Sequence, residues 1–270
     1  MLREWRRRRR MSQLDLACNA EISSKRLSSM ESGRLRPSRG MLLRLATCLD
    51  VPLRDTNALL SAAGFASVFE ERAFDVPELD IVRRAVEIVL GAHDPFPALV
   101  VDRHWTMLLA NRAVAHLVGG AESLLLRPPV NVLRLLLHPA GLAPRIVNLA
   151  QWRARVIARL HRQIDLSGDP ILIDLLEEIR DYPIPREAGT CDEADTGVVA
   201  IPLRLATIDG VLSFFSTTTL FGTPVDITVS ELTIEAFLPA DAETADIMRR
   251  VAQRDKAEPA ITASPAVEQV

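Results

Sequence analysis

The chain has 270 residues, of which 48% are hydrophobic and 25% are charged, and this balance excludes a disordered polymer. It predicts a globular protein of one large or two modest domains. Apolar runs such as residues 97–101 and 135–137 fall far below the ~18 apolar residues that a membrane span requires. Because no apolar stretch follows the N-terminal arginines, we expect no secretion signal and a cytoplasmic protein.

Charge is distributed unevenly along the chain. The first 64 residues contain 13 Lys and Arg against six Asp and Glu, a formal charge of +7, which leaves −10 for the remaining 206 residues because the whole chain carries −3. A basic segment joined to an acidic one is typical of a polyanion-binding module tethered to a part that avoids the polyanion. The alternative is an arginine run that forms only a solvated surface.

Five short helices are predicted before residue 65. An arginine-rich helix comes first, and Ser12 with Asp15 forms a Ser-x-x-Asp box that opens the second. The apolar stripe of this second helix is predicted to consist of Leu14, Ala17 and Cys18. Two further helices open at residues 37–38 and at residue 52, and short connections force all five to pack together.

The third helix is predicted to present a polar face to the solvent. It begins near Ser24, after a cap at Ser23, and Gly33 supplies the permissive backbone that ends it. Leu27 and Met30 face inward at a spacing of three residues. Small polar groups and one cation therefore cover the outer face.

The second and third helices, with their short connection, match a helix-turn-helix, in which the second member lies in the DNA major groove. Fixed spacings support this match at Gln13, Ala17, Ile22-Ser23, Leu27, Glu31-Ser32-Gly33-Arg34 and Pro37-Ser38. With these residues the segment resembles the lambda-repressor-like, Xre/Cro-type DNA-binding domain over residues 2–64. The resemblance implies double-stranded DNA as a partner and a homodimer as the binding species.

The resemblance also implies which side chains meet DNA. Base edges or nearby phosphates would be contacted by Gln13, Ser24, Lys25, Ser28 and Ser29, and the phosphate backbone would be held by Arg34, Arg36 and Arg39. Structural alternatives stand beside these contacts, because Gln13 is equally suited to capping the second helix and the serines to being solvated. Glu31 is expected to pair inside the protein, since a duplex is anionic. Arginines 6–10 spread around their helix by ~100° per residue, so about two of them can reach DNA.

A different domain is predicted after a linker. Residues 65–80 mix turn residues, acids and a proline without a clear period, residues 81–250 form the second domain, and residues 251–270 are predicted to be a flexible tail. Helices are predicted over residues 81–90, 111–118, 131–137, 144–164 and 170–181, with a loop over 183–197. Strands are predicted over residues 98–102, 105–110, 198–206, 211–219 and 228–237. Five strands flanking a helical block predict an α+β domain with an antiparallel sheet and helices on one face.

The second domain also resembles a known family. The matching residues are Ala98-Leu99-Val100-Val101-Asp102, Trp105, Ala110-Asn111, Asn131-Val132-Leu133-Arg134, His138-Pro139, Asn148, Trp152, Phe221-Gly222-Thr223-Pro224 and Leu238-Pro239-Ala240-Asp241. They resemble the MmyB-like ligand-binding domain over about residues 77–250. This resemblance implies a PAS-like fold that follows an Xre-type domain in bacterial transcription regulators, with a cavity for a small apolar or fatty-acid-like ligand. The fold class expected for the whole chain is an all-α helix-turn-helix domain followed by this α+β domain.

A few polar side chains in otherwise apolar helices are the candidate ligand contacts. They are Asn131, Arg134, His138, Arg145, Asn148 and Trp152. An apolar pocket with a few convergent polar groups is how small-molecule sites are built, and an arginine such as Arg134 or Arg145 could hold a carboxylate with two hydrogen bonds. The alternatives are that Asn131 caps a helix, that His138-Pro139 ends one, and that Trp152 belongs to the core.

No motif indicates an enzyme, a metal site or a cofactor. The chain lacks phosphate-loop, dinucleotide, zinc-protease and nucleophile-elbow patterns, and its five histidines have no metal-ligand spacing. Cys18, Cys48 and Cys191 are too dispersed for a disulfide framework and are predicted to be reduced packing residues. We therefore expect a ligand-responsive, sequence-specific transcription regulator. The alternatives are an enzyme acting on a small acyl compound and a dimerisation platform with a filled core.

Overall fold

The computed structural model describes residues 1–183 and 200–257, and among these no helix is both long and apolar enough to cross a membrane. The chain divides into two compact units. The first comprises Met1–Arg83, Ile157–Glu178 and Leu220–Leu232, and the second comprises Arg84–Val156, Ile179–Thr219 and Thr233–Val270. The first unit thus combines the basic N-terminal segment with two pieces of the following sequence. The domain boundaries at residues 64, 80 and 250 stay predictions.

The N-terminal segment forms the five expected helices. They are α1 (Leu2–Arg8), α2 (Gln13–Asn19), α3 (Ser24–Glu31), α4 (Arg39–Cys48) and α5 (Leu53–Ala62). The Ser12 hydroxyl accepts a hydrogen bond from the Asp15 amide at 3.1 Å, and the Asp15 carboxylate accepts one from the Ser12 amide at 3.1 Å. The Ser23 hydroxyl caps α3 with a single hydrogen bond, which it accepts from the Arg26 amide at 3.2 Å. Each such cap contributes about 1 kcal/mol to helix stability, which fixes where α2 and α3 begin.

The predicted apolar stripe of α2 is wrong at Leu14 and Cys18 and correct at Ala17. Leu14 is 63% exposed and Cys18 is exposed, whereas Leu16, Ala17 and Ala20 are buried. The sequence of α2 contains two apolar pairs at a spacing of four residues, Leu14 with Cys18 and Leu16 with Ala20, and either could face the core. Packing with Trp5, Leu27, Leu45 and Leu49 of the neighbouring helices and their flanks selects the second pair.

A buried carboxylate joins the first three helices. The side chain of Glu31, at the end of α3, has 0% exposure and accepts hydrogen bonds from Arg6 Nε at 2.6 Å and Arg6 Nη2 at 3.0 Å. Gln13 Nε2, at the start of α2, donates a third bond to it at 2.7 Å. Burial alone would raise the pKa of Glu31, but these hydrogen bonds and the charges of Arg6 and Arg3 lower it below its ordinary value. The expectation that Glu31 pairs inside the protein is confirmed.

The second half of the chain is built on an antiparallel sheet. Its strands are β1 (Ala98–Val101), β2 (Met107–Ala110), β3 (Leu203–Thr207), β4 (Gly210–Leu220) and β5 (Thr233–Pro239), in the spatial order β2-β1-β5-β4-β3. β1 pairs antiparallel with β2 and with β5, and β3 pairs antiparallel with β4. The Asp102 side chain accepts hydrogen bonds from the amides of His104 and Thr106, both at 2.8 Å, which closes the β1–β2 turn. The expected fold class is confirmed.

Seven helices follow α5 along the described part of the chain. They are α6 (Asp80–Ala92), α7 (Ala113–Val118), α8 (Val132–Leu137), α9 (Leu149–Ser167), α10 (Pro170–Asp181), α11 (Ile227–Glu231) and α12 (Ala242–Ala257). A 3-10 turn over Ala143–Arg145 precedes α9, which starts later than predicted. In α6 the core-facing side chains are Val86 and Leu90.

Two further predictions need correction. A strand was expected over residues 228–237, but the Asp226 side chain caps the Val229 amide, so α11 forms first and β5 begins at Thr233. The strand expected from residue 198 begins at Leu203, and residues 184–197 of the predicted loop lie outside the described residues. The predicted start of the tail after residue 250 stays a prediction, because α12 continues to Ala257 and residues 258–270 lie outside the described residues.

Ion pairs fasten α5 and the segment after it to α11 within the first unit. Arg54 of α5 donates to Glu231 of α11 at 2.8 and 3.0 Å and to Glu71 at 2.7 Å. Arg72 donates to the buried Asp226 at 2.8 Å, beside the Glu70–Asp226 bridge. The hydrogen bonds from Glu231 and Glu71 raise the pKa of Arg54 above its ordinary value. We call this group of six residues, with Arg54 and Arg72 as its cations, the arginine latch.

Replacing Glu31 by glutamine is expected to lower the free energy of unfolding of the full chain by about 2 kcal/mol, because the largely buried Arg6 loses its charged partner. The measurement is urea denaturation near neutral pH. Glu4→Gln is the control, since the carboxylate of Glu4 is 61% exposed and pairs with Arg8 at the surface. Equal losses in the two variants would contradict the role assigned to Glu31.

The same pair of proteins gives a pH test. A carboxylate whose pKa is lowered in the folded state stabilises the protein fully above its ordinary pKa, and this contribution is lost as the pH falls through the lowered value. The gap in unfolding free energy between the wild type and Glu31→Gln should therefore narrow in acid. A gap that stays constant down to the acid transition would refute this linkage.

Replacing Arg54 by alanine is expected to lower the free energy of unfolding by about 1 kcal/mol, a value reduced by the solvent access of the pair. The matched control is Arg44→Ala, because Arg44 pairs with Glu21 at 3.7 Å and both side chains are mostly exposed. Chemical denaturation of the full chain measures both. If Arg44→Ala costs as much as Arg54→Ala, the arginine latch has no special role.

Candidate nucleic-acid interface and ligand site

The outer face of α3 is open to solvent. Lys25 and Arg26 are exposed, Ser24, Ser28 and Ser29 are half-buried, and Leu27 and Met30 on the opposite face are buried. The Ser29 hydroxyl donates to the Lys25 carbonyl at 2.9 Å, which leaves its oxygen able to accept. The α3 side chains predicted to contact bases, Ser24, Lys25, Ser28 and Ser29, therefore lie on the solvent side of a short, capped helix.

The electrostatic character of this face depends on Glu31. It is the one acidic residue of α3, and its carboxylate is buried and bound to Arg6. The exposed charges of α3 are therefore the cations Lys25 and Arg26. Arg26 was not predicted as a site residue, although its position beside Lys25 could have suggested it. A cationic helix face without exposed carboxylates is suited to a polyanion.

Gln13 takes part in the internal network rather than in capping. Ser12 is the cap of α2, and the amide nitrogen of Gln13 is held by Glu31 at 2.7 Å. The side chain stays half-buried at the first residue of α2. The contact with Glu31 fixes the orientation of the Gln13 side-chain amide relative to the end of α3.

The three arginines after α3 differ in their contacts. Arg34 is exposed and donates to the Ser32 hydroxyl, and Arg39 is exposed at the start of α4. Arg36 donates from Nε to the Ala63 carbonyl at 3.0 Å, and its guanidinium lies 5.4 Å from the Phe65 ring centroid. Arg36 therefore supports the end of α5 in addition to any contact with DNA.

The N-terminal arginines are mostly held by the protein itself. Arg6 binds Glu31, Arg8 donates to the Ser167 carbonyl at 2.7 Å, and Arg9 donates to the Leu49 and Asp50 carbonyls at 2.8 and 2.6 Å. Both Arg8 and Arg9 also lie over the Trp5 ring. Within the run of arginines at residues 6–10, the exposed side chains are those of Arg7 and Arg10. Most of the arginine run thus serves the packing of α1.

Two of the predicted ligand residues have structural contacts. The Asn131 side chain caps α8 through the amides of Leu133 and Arg134, as the structural alternative expected. Asn148 donates to the Pro202 carbonyl at 2.8 Å and accepts from the Arg204 amide at 3.1 Å. Asn148 therefore pins the segment before α9 to β3.

The other helical candidates differ in their contacts and exposure. His138 ends α8, accepts at Nδ1 from the Ala140 amide at 3.0 Å and contacts the Tyr182 ring edge-on. Arg134 is exposed. Trp152 is 7% exposed, and its indole nitrogen is buried with no hydrogen-bond acceptor among the described residues. These residues stay predictions as ligand contacts.

Arg145 lines a groove of about 600 Å³ in the second unit. Its Nε donates to the Ala206 carbonyl at 3.0 Å, and its Nη1 donates to the carbonyls of Leu117, at 3.0 Å, and Gly119. Burial lowers the pKa of this guanidinium. Arg145 thus bridges the end of α7 and the strand β3.

A separate apolar cavity of about 50 Å³ lies between the sheet and the helices α7 and α8. Every residue lining it is apolar, and none of them was predicted as a ligand contact. The lining residues are Pro97, Leu99, Met107, Val114, Leu117, Val118, Val132, Leu135, Leu136, Leu142, Leu203, Leu205 and Phe237. No polar side chain marks this cavity in the sequence, because its lining consists of apolar residues from distant segments.

No group of histidine, cysteine, aspartate or glutamate side chains within residues 1–183 and 200–257 is arranged to hold a metal ion. Comparison with known proteins then separates the chain into two parts. Residues 1–59 match a helix-turn-helix domain, and residues 82–251 match the MmyB-like transcription regulator ligand binding domain. No curated protein matches the chain.

One solved structure is similar at low identity. It is an RNA-binding light-oxygen-voltage receptor, 13% identical to this chain, with a TM-score of 0.25. The similarity covers 89% of this chain and 57% of the receptor chain. The narrower Xre/Cro-type assignment stays a resemblance.

The two matches agree with the structure around them. The helix-turn-helix match covers the segment in which α3 is capped, cationic and exposed, and the ligand-binding match covers the sheet, the apolar cavity and the groove. Since the second match alone covers more than half of the sequence, the chain belongs to the family of MmyB-like transcription regulators, as a DNA-binding helix-turn-helix protein with a C-terminal ligand-binding domain.

Proposed function

We propose that this regulator acts in the cytoplasm as a homodimer that binds a specific operator through α3 and responds to a small apolar or fatty-acid-like ligand. In this proposal the base contacts come from Gln13, Ser24, Lys25, Ser28 and Ser29, and the phosphate contacts come from Arg34, Arg36 and Arg39. A dimer would place two copies of α3 about one DNA turn apart. The ligand-binding domain binds its ligand without chemical change.

The observation that supports DNA binding most directly is that the outer face of α3 is open to solvent while the carboxylate of Glu31 is buried. Arg6 and Gln13 occupy the carboxylate of Glu31, so a phosphate near α3 would meet Lys25 and Arg26 without an opposing charge from that helix. Hydrogen bonds to base edges supply specificity, whereas neutralised phosphates supply affinity. In this proposal the base contacts supply the specificity and the phosphate contacts supply the affinity.

The apolar cavity supports an alkyl ligand. Its lining carries no polar side chain, so a hydrocarbon chain would fit it without burying an unpaired polar group. At about 50 Å³ it is smaller than the ~300–1,000 Å³ of typical small-molecule sites, so a longer chain must move the surrounding helices to enter. A ligand that binds one arrangement better than another shifts the population towards it.

The arginine latch offers a route from the ligand to the DNA-binding helices. Glu231 and Asp226 belong to α11 and its cap, and the chain passes from α11 directly into β5, where Phe237 lines the apolar cavity. Arg54 and Arg72 hold α11 to α5 and the segment after it. A movement of β5 that accompanies ligand entry would therefore act on the ion pairs of the DNA-binding segment.

Selection of bound duplexes from a random pool by the full-length protein tests DNA binding. We expect a palindromic operator, and Lys25→Ala should lower the preference for it over random DNA by roughly 1–3 kcal/mol. Arg39→Ala should weaken both kinds of DNA and reduce the salt slope by ~0.9. Arg39 is preferred to Arg36, whose contacts with Ala63 and Phe65 would confound the result.

Arg84→Ala, which removes an exposed cation from α6, serves as the surface control for these measurements. If Lys25→Ala and Arg39→Ala change operator and random duplex by the same factors, the division into base-reading and phosphate-binding residues is wrong. A selected site without two-fold symmetry would count against the dimer.

Filling the apolar cavity tests the ligand proposal. Val114→Phe should reduce the amount of fatty acid that native mass spectrometry detects on the purified protein, because the added ring occupies the cavity. Val147→Phe is the control, since Val147 is 44% exposed and lines neither the cavity nor the groove. Bound fatty acid should be recovered chemically unchanged from the wild type, whereas turnover would favour the enzyme alternative. Equal ligand content in both variants would refute the assignment of the cavity.

A further inference from the structure

The end of α9 is joined to α1 within the first compact unit, which includes Ile157–Glu178. Arg8 Nη1 donates to the Ser167 carbonyl at 2.7 Å, and Arg9 also donates to a carbonyl in the last turn of α9. Gly168 follows with a φ of +67°, and a Cβ atom there would collide with the Arg8 guanidinium, so this close approach requires glycine. Cations at the C-terminal end of a helix also interact favourably with its dipole. The two segments therefore form one continuous surface.

This surface carries a high positive charge. Residues 1–10 and 157–167 together contain eight arginines against two acids, a formal charge of +6, although residues 65–270 as a whole carry −10. One of the two acids, Glu4, already pairs with Arg8 at 2.9 Å. The other, Asp165, forms no ion pair among the described residues. A concentration of positive charge on one surface predicts a polyanion as its partner.

Three exposed arginines supply the outward charge of this surface. Arg7, Arg10 and Arg162 are exposed, and within the described part of the chain their side chains form no ion pair and no hydrogen bond. By contrast, Arg8 and Arg9 bind main-chain carbonyls. An exposed guanidinium without a bound acid can hold a phosphate through two parallel N–H groups.

The position of Arg10 favours duplex DNA as the polyanion. Arg10 lies in the turn between α1 and α2, two residues before the Ser12 cap. In a helix-turn-helix complex the first helix of the motif, here α2, crosses the phosphate backbone while the second lies in the major groove. Arg10 is therefore next to the backbone when α3 contacts bases. Arg162 lies about one helical turn before the carbonyls that bind α1, so it extends the same surface.

We propose that Arg7, Arg10 and Arg162 bind phosphates of the duplex outside the base pairs that α3 contacts. This inference rests on the proposed binding of DNA through α3, and it adds a contact from a segment that matches the ligand-binding domain. Phosphate contacts carry no sequence information, so this second surface raises the affinity for operator and random DNA alike. The part of the chain that binds the ligand thereby also takes part in holding DNA.

The salt dependence of binding by the full-length protein tests this surface, with a duplex that extends beyond the selected operator on both sides. Arg162→Ala should reduce the salt slope by ~0.9 and weaken operator and random duplex by the same factor, at least threefold at low salt, because one phosphate contact is lost. Arg162→Lys should keep the slope, since it retains the charge. The control is Arg84→Ala, which removes an exposed cation elsewhere and should leave the slope unchanged. An unchanged slope in Arg162→Ala would overturn the proposal.

Ethylation of single phosphates shows where the contact lies. We expect at least one phosphate outside the selected base pairs whose ethylation weakens binding by the wild type but not by Arg162→Ala. The same interference pattern in both proteins would overturn the assignment to DNA phosphates. Single-stranded RNA that binds more tightly than duplex DNA, and loses this advantage in Arg162→Ala, would assign the surface to RNA instead.

These measurements separate the second surface from the proposed function. If a palindromic operator is selected but Arg162→Ala keeps the wild-type salt slope, operator binding through α3 stands and the second surface fails. If no operator is selected, while Arg162→Ala still lowers the salt slope on random duplex, the second surface stands and sequence-specific binding fails.

Discussion

The hydrogen bonds between Arg6, Gln13 and Glu31 are the constraint on which the DNA-binding segment depends. Each residue comes from a different helix, and Glu31 is fully buried, so the three helices can keep this contact only in one relative arrangement. The same contact removes the acid of α3 from the surface. One interaction therefore sets both the geometry of the helix-turn-helix and the sign of the charge on its outer face.

The arginine latch extends this order beyond the helices of the DNA-binding segment. Arg54 binds the carboxylates of Glu71 and Glu231, and Arg72 binds Asp226, which caps α11. A cap that also accepts an ion pair links the local fold of α11 to the position of a distant segment. The residues that carry this link are charged and partly exposed, in contrast to the apolar cavity, which is built only from hydrocarbon side chains.

Local signals in the sequence predicted most of the fold, and the failures have physical causes. The caps at Ser12 and Ser23 could be predicted because a cap is a contact between near neighbours in sequence. The buried face of α2 could not, because two apolar pairs compete and only packing decides between them. Likewise the β-branched residues after Asp226 favour a strand, but the hydrogen bond from the Val229 amide to the Asp226 side chain starts a helix there. One of the polar ligand candidates, Asn131, is a helix cap. The sequence does not distinguish the two roles, because an asparagine side chain can cap a helix or contact a ligand.

The ion pairs of the arginine latch affect how the salt dependence of DNA binding is interpreted. Dissolved ions compete for Arg54 and Arg72 just as they compete for cations that lie against a duplex. A plot of the logarithm of the binding constant against that of the salt concentration is usually converted into a number of displaced counterions. If the latch opens or tightens on binding, its own pairs enter that number. The apparent number of displaced counterions then includes ion pairs within the protein as well as contacts with the nucleic acid.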